Sequence, residues 1–83
     1  MGLKTVEQLR QARAALGWTQ AKVAEAAGVS VPTIKRLENG RGNLAVRFET
    51  LTNLETALTA QGVQFLNEGD ESQGPGVALK STD

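Results

Sequence analysis

The 83-residue chain contains no cysteine and no histidine. The first absence excludes a disulfide framework and a thiolate metal site. The second removes the commonest general base near neutral pH and the commonest metal ligand. Nor is a carboxylate cluster suited to Mg²⁺ organised along the chain. Glu49 and Glu55 lie six positions apart on what reads as one helix, on different faces, and are taken as surface charges. No enzymatic activity, metal or cofactor is therefore expected. No apolar run approaches the roughly 18 residues of a membrane span. Lys4, Glu7 and Arg10 interrupt the N-terminal stretch where a signal-peptide core would lie, so a cytoplasmic protein is expected.

Net charge is also lacking: nine Lys and Arg balance nine Asp and Glu. The charges are not evenly spread. Residues 1–47 carry Lys4, Arg10, Arg13, Lys22, Lys35, Arg36, Arg41 and Arg47 against Glu7, Glu25 and Glu38. Residues 48–83 carry only Lys80 against Glu49, Glu55, Glu68, Asp70, Glu71 and Asp83. A basic front and an acidic back, with a formal surplus of five charges each, make the chain an electrical dipole. A polyanion is a candidate partner for the front half.

Periodicity places four helices. The first spans about residues 5–16, with Val6, Leu9, Ala12 and Leu16 as its apolar stripe. Thr5 and Gln8 have capping-box spacing, and Gly17 stops it. The second spans about residues 20–27 behind Thr19 as N-cap, with Trp18 and Val23 at hydrophobic-staple spacing and Gly28 at its end. The third spans about residues 31–39 behind Ser30, with Val29 and Ile34 repeating the staple. Pro32 falls in its first turn, where a missing N–H is harmless. Residues 41–46 form a loop, and a fourth helix covers about 48–61 with Leu51, Leu54 and Leu58 on one face, stopped by Gly62. Beyond it, residues 63–66 and 77–79 are strand candidates around a polar, Gly-rich turn at 67–76, and suggest a β-hairpin that needs a surface to pack on.

The second and third helices are joined by only Gly28, Val29 and Ser30. A three-residue turn with glycine forces a sharp crossing, so that one helix braces while the next projects. The stretch TQAKVAEAAGVSVPTIKRLENGRG, residues 19–42, resembles the XRE-type helix-turn-helix family of lambda-type Cro and phage repressors. Thr19-Gln20, Ala24, Gly28-Val29-Ser30, Ile34 and Leu37-Glu38-Asn39-Gly40 carry the likeness, with Leu9, Arg10, Arg13 and Leu16-Gly17-Trp18 upstream. It extends over residues 7–61. The expected fold is mainly α: a four-helix lambda-repressor-like helix-turn-helix domain over 1–61, with a C-terminal hairpin or tail over 62–83.

The resemblance implies sequence-specific binding of double-stranded DNA and a role as a bacterial or phage-type transcriptional regulator, repressor or activator, associated with the nucleoid. It places Gln20 at a phosphate, within reach of a base, and Thr19, the helix cap beside it, at the DNA as well. It turns Val31, Pro32, Thr33 and Arg36 to the groove, and brings Asn39, Arg41 and Asn43 to the backbone beyond. It pairs Arg13 with Glu38 in a partly buried salt bridge between the first and third helices. Side-chain chemistry sorts these further. Arg36 can give two parallel hydrogen bonds to guanine. Val31 and Pro32 offer only apolar contact, to a thymine methyl or the groove wall. Lys35 and Lys22 suit phosphates, which supply affinity rather than sequence choice.

A competing reading is a protein-interaction module or anti-regulator on the same fold, motivated by zero net charge and the acidic tail. A homodimer is also expected, formed by the fourth helix and the hairpin, with Phe65 buried across a two-fold axis. The acidic tail is a candidate surface for another protein.

Overall fold

Three hydroxyl side chains set where the first three helices begin. Thr5, Thr19 and Ser30 sit in extended backbone, and each accepts a hydrogen bond from the amide three residues on, at Gln8, Lys22 and Thr33. Each thus satisfies one N–H that the helix itself cannot. In the computed structural model, which describes residues 2–66 and 76–79, they open α1 (Val6–Leu16), α2 (Gln20–Ala27) and α3 (Val31–Glu38). The buried Gln8 closes the capping box, its Oε1 accepting from the amides of Thr5 at 3.0 Å and Lys4 at 2.8 Å.

The stops differ. Gly17 and Gly28 end α1 and α2 in the left-handed region, at φ 67° and 69°, which glycine adopts at little cost. Helix α3 ends at Glu38, with Asn39 as a right-handed cap, one residue short of the sequence expectation. Helix α4 (Phe48–Thr59) has Arg47 at its N-cap without a side-chain cap bond, and stops two residues before position 61. A turn through Gly62, φ 91°, follows.

The chain then forms the hairpin β1 (Val63–Leu66) and β2 (Gly76–Leu79), antiparallel, with Val63 opposite Leu79 and Phe65 opposite Val77. The acidic residues Glu68, Asp70 and Glu71 lie outside the described residues, as do most of the expected turn and Lys80. Strand β2 packs on α1, and β1 on α4. Phe65 is half-buried against the chain's own core, beside Gly2. The physical reason is that a two-stranded hairpin is marginal without a surface, and α1 and α4 supply one within the chain.

The core comprises Leu3, Leu9, Ala12, Val23, Ala24, Ala27, Ile34, Leu37, Leu54, Leu58 and Val63. The small residues of α2 let it pack against both α3 and α4. The segment before α1 is tied down along its length. Leu3 is buried and its N–H donates to Glu55 Oε1 at 2.6 Å. The N–H groups of Val6 and Leu44 donate to the carbonyls of Gly42 and Lys4, both at 2.8 Å, so the loop after α3 is zipped to the segment before α1. Glu55, taken from sequence as a surface charge, is half-buried here and anchors a main-chain amide.

Candidate nucleic-acid interface

Glu38, the last residue of α3, is the junction of three helices. Its side chain is 6 % exposed, a setting in which an unpaired carboxylate would be costly. Arg13 of α1 meets it with two parallel bonds, Nε to Oε2 at 2.8 Å and Nη2 to Oε1 at 2.9 Å. Gln20, the first residue of α2, donates from Nε2 to Oε1 at 3.1 Å. Arg10 donates from Nη2 to the Glu38 main-chain carbonyl. Arg13 also donates to the carbonyl of Trp18 at 3.1 Å, which fixes the corner between α1 and α2. The hydrogen bond with Glu38 pushes the Arg13 guanidinium above its ordinary pKa, burial opposes this, and the charge of Glu38 adds to the rise. The structure thus brings Arg13 and Glu38 together and attaches Gln20 to the same pair.

Helix α3 buries Ile34, Leu37 and Glu38. Pro32, Arg36 and Asn39, spaced one turn apart, are exposed on the side away from that core, and exposed Lys35 flanks them. Val31, expected to face the groove, is half-buried and packs against the core. Thr33 is half-buried and turns its Oγ1 to Ser30 Oγ, 2.8 Å away.

Arg36 stands between two clefts. One, of about 470 Å³, is lined by Thr33, Arg36, Ala45, Val46, Arg47 and Thr50. The other, of about 200 Å³, runs past Arg36, Gly40, Arg41, Asn43 and Ala45. Of the residues singled out in the sequence, Thr33, Arg36, Arg41 and Asn43 therefore lie along these two adjoining clefts. Thr19 and Gln20 are set apart from these clefts, at the start of α2. Lys22 is exposed, with its Nζ 5.6 Å from the centre of the Trp18 ring and 3.5 Å from Glu25.

Two residues on this surface were missed in the sequence. Arg47, the N-cap of α4, and Thr50 in its first turn line the larger cleft with Thr33 and Arg36. The available signal was a basic residue at a helix start, where both the charge and the free amides favour an anion. Arg10 was noted only as part of a motif, and its bond to the end of α3 has no local signature. Among the described residues, no group of acidic side chains could hold a metal ion, and no helix is long and apolar enough to cross a membrane.

Two short capped helices at a sharp glycine corner, the second with a polar outward face, define a helix-turn-helix. The chain matches the helix-turn-helix domain family over residues 6–65 and belongs to it. That family is one of DNA-binding domains. The match runs through all four helices and into β1, further than the likeness at 7–61 read from sequence. No curated protein matches the chain in sequence.

Proposed function

We propose that this chain is a sequence-specific regulator of transcription of the XRE type, reading the major groove of double-stranded DNA with α3. One observation carries the proposal: the exposed stripe Pro32, Arg36 and Asn39 lies on a helix whose far end is clamped to α1 and α2 through Glu38. A rigid, outward-facing helix can hold side chains against base edges, and a mobile one cannot. Arg36 is the guanine reader. Its bidentate pair is worth about 1–3 kcal/mol of discrimination.

The remaining residues position the duplex. Lys35, Asn39, Arg41, Asn43 and Arg47 surround Arg36 and face phosphates. Thr19 and Gln20 sit at the open N-terminus of α2, which favours a phosphate through its free amides and dipole. The Gln20 amide has two N–H groups. One is given to Glu38, which leaves the other for the DNA backbone. An eight-residue helix is about 12 Å long and reads a few base pairs, so the proposal includes a homodimer on two half-sites. Among the described residues, Leu79 of β2 and Phe48 of α4, 51 % and 74 % exposed, are large apolar side chains open to such a contact.

The test is selection of bound duplexes from a random-sequence pool, followed by gel shifts at low and moderate salt. The expected result is a two-fold-symmetric consensus containing guanine. A folded protein that enriches no sequence at either salt would overturn the proposal and favour the protein-interaction reading.

A further inference from the structure

The segment before α1 runs from α4 to the loop that follows α3, and it is bonded at both ends. At the α4 end the Leu3 N–H donates to Glu55 Oε1 at 2.6 Å, and the Leu3 side chain is fully buried. Gly2 lies against Phe65 so closely that a Cβ there would stand 3.1 Å from the Phe65 Cβ. At the loop end the Lys4 carbonyl accepts from the Leu44 N–H, the Val6 N–H donates to the Gly42 carbonyl, and Thr5 pairs with Asn43 in an antiparallel bridge. The Lys4 and Thr5 amides between them are held by Gln8 Oε1. Every N–H from Leu3 to Val6 is therefore bonded. The donor of Leu3 and the acceptor of Lys4 belong to neighbouring residues, about 3.8 Å apart between Cα atoms, so little chain is left to absorb a shift at either end.

Resting on the DNA-binding reading above, we infer that Glu55 is a positioning residue for the loop that carries Arg41 and Asn43, acting through this segment rather than by touching DNA. Glu55 stands about 12 Å beyond Arg47 along the axis of α4, and lines a different cleft, of about 230 Å³, with Gly2, Val63 and Phe65. Its own charge would repel a phosphate, so its contribution to binding is mechanical. A half-buried carboxylate holds the Leu3 amide in a charge-assisted bond. With Leu3 fixed, the Lys4 carbonyl stands where the Leu44 N–H meets it. The loop is thereby pinned on both sides of its left-handed turn at Gly42, φ 70°, and the exposed Arg41 and Asn43 flank that turn. A loop ordered before DNA arrives loses less freedom on binding.

The experiment compares Glu55→Ala with Glu55→Gln in the full chain. Both remove the charge, and only glutamine keeps an acceptor for the Leu3 amide. Without DNA, hydrogen exchange at the Leu44 and Val6 amides should be about tenfold faster in Glu55→Ala, the size expected for one hydrogen bond to a charged group. In Glu55→Gln it should stay within about threefold of the unaltered chain. The amides of Leu37 and Leu58, inside α3 and α4, should not follow, whereas a merely destabilised fold would quicken all four together. On a duplex enriched from random DNA, Glu55→Ala should bind about three- to tenfold more weakly than Glu55→Gln with the same base preference, and its salt dependence should be shallower by about one phosphate contact. In the unaltered chain the same duplex should slow exchange at the Leu3 amide relative to Leu58, since coupling runs both ways. Unchanged exchange at Leu44 and Val6 in Glu55→Ala, or equal affinity of the two variants, would overturn the inference. If Glu55→Ala does not fold, the Leu3 amide of the unaltered chain decides it. If no duplex is enriched, it is the DNA-binding reading that has failed, and the exchange rates without DNA still decide whether Glu55 holds the loop.

Discussion

Helices α2 and α3 are built alike and end up doing different things. Each has eight residues, each starts behind a hydroxyl cap in extended backbone, and each is preceded by an apolar residue packed on the core, Trp18 or Val29. The difference lies in what they carry. Helix α2 buries Val23, Ala24 and Ala27 and has no basic residue in its last turn. It packs on both α3 and α4. Helix α3 buries two larger side chains and one carboxylate, has Lys35 and Arg36 in its last turn, and leaves a whole side exposed. The shared frame determines where the two helices stand. The unshared side chains decide that one is packed between two neighbours while the other leaves a polar face open. This is why caps and turns locate such a motif but say little about what it binds.

The comparison can be broken most severely at Glu38. Glu38→Ala leaves Arg13 and Gln20 without their acceptor, and should cost about 3 kcal/mol, at the lower end for a broken buried pair because Arg13 is 27 % exposed. Urea unfolding measures this, and a loss below about 1 kcal/mol would mean that the clamp does not hold α3 in place. Arg36→Ala tests the opposite face. It should leave urea stability within about 0.5 kcal/mol while reducing discrimination at one guanine by about 1–3 kcal/mol in competition gel shifts. Equal losses on matched and scrambled duplexes would remove Arg36 from the reading role.

Smaller effects sharpen the likeness between the two starts. Thr19→Ala and Ser30→Ala should each cost about 1 kcal/mol of stability, since each removes one cap bond. The smallest effect concerns pH. The Arg13 guanidinium is raised above its ordinary pKa, so the stability it lends is fully present below that ordinary value and is lost only as strong alkali titrates the folded form. Varying pH between about 6 and 9 should therefore leave the contribution of Arg13 unchanged. An Arg13→Ala stability difference that drifts across this range would show that another group governs the pair.

How far the fold could be read in advance follows from the range of each interaction. The starts at Thr5, Thr19 and Ser30 and the stops at Gly17 and Gly28 depend on residues three or four apart, and were legible. The hairpin strands were legible from their flanking turn signals, but their seat on α1 was not. The bond from the Leu3 amide to Glu55 joins residues 52 apart, and nothing near Glu55 marks it as an anchor rather than a solvated charge. The site divides in the same way. Arg36 stood out because it sits in a motif. Arg47 and Thr50 did not, because only the fold of the loop over residues 41–46 carries the start of α4 to the side of α3. The partial burial of Val31 was not legible, since a short helix with a polar outer face gives few landmarks for where the core face ends.

The chain has one tryptophan, and it sits at the corner where α1 hands over to α2. Its carbonyl is held by Arg13, and the ammonium group of Lys22 stands over its ring. An indole in that position is a built-in optical gauge. Its emission is expected to shift when the Arg13 corner loosens and the ring meets water, and again when the Lys22 charge is withdrawn from the ring. The same light signal can therefore follow unfolding in denaturant and, at constant fold, the arrival of a polyanion that draws Lys22 away.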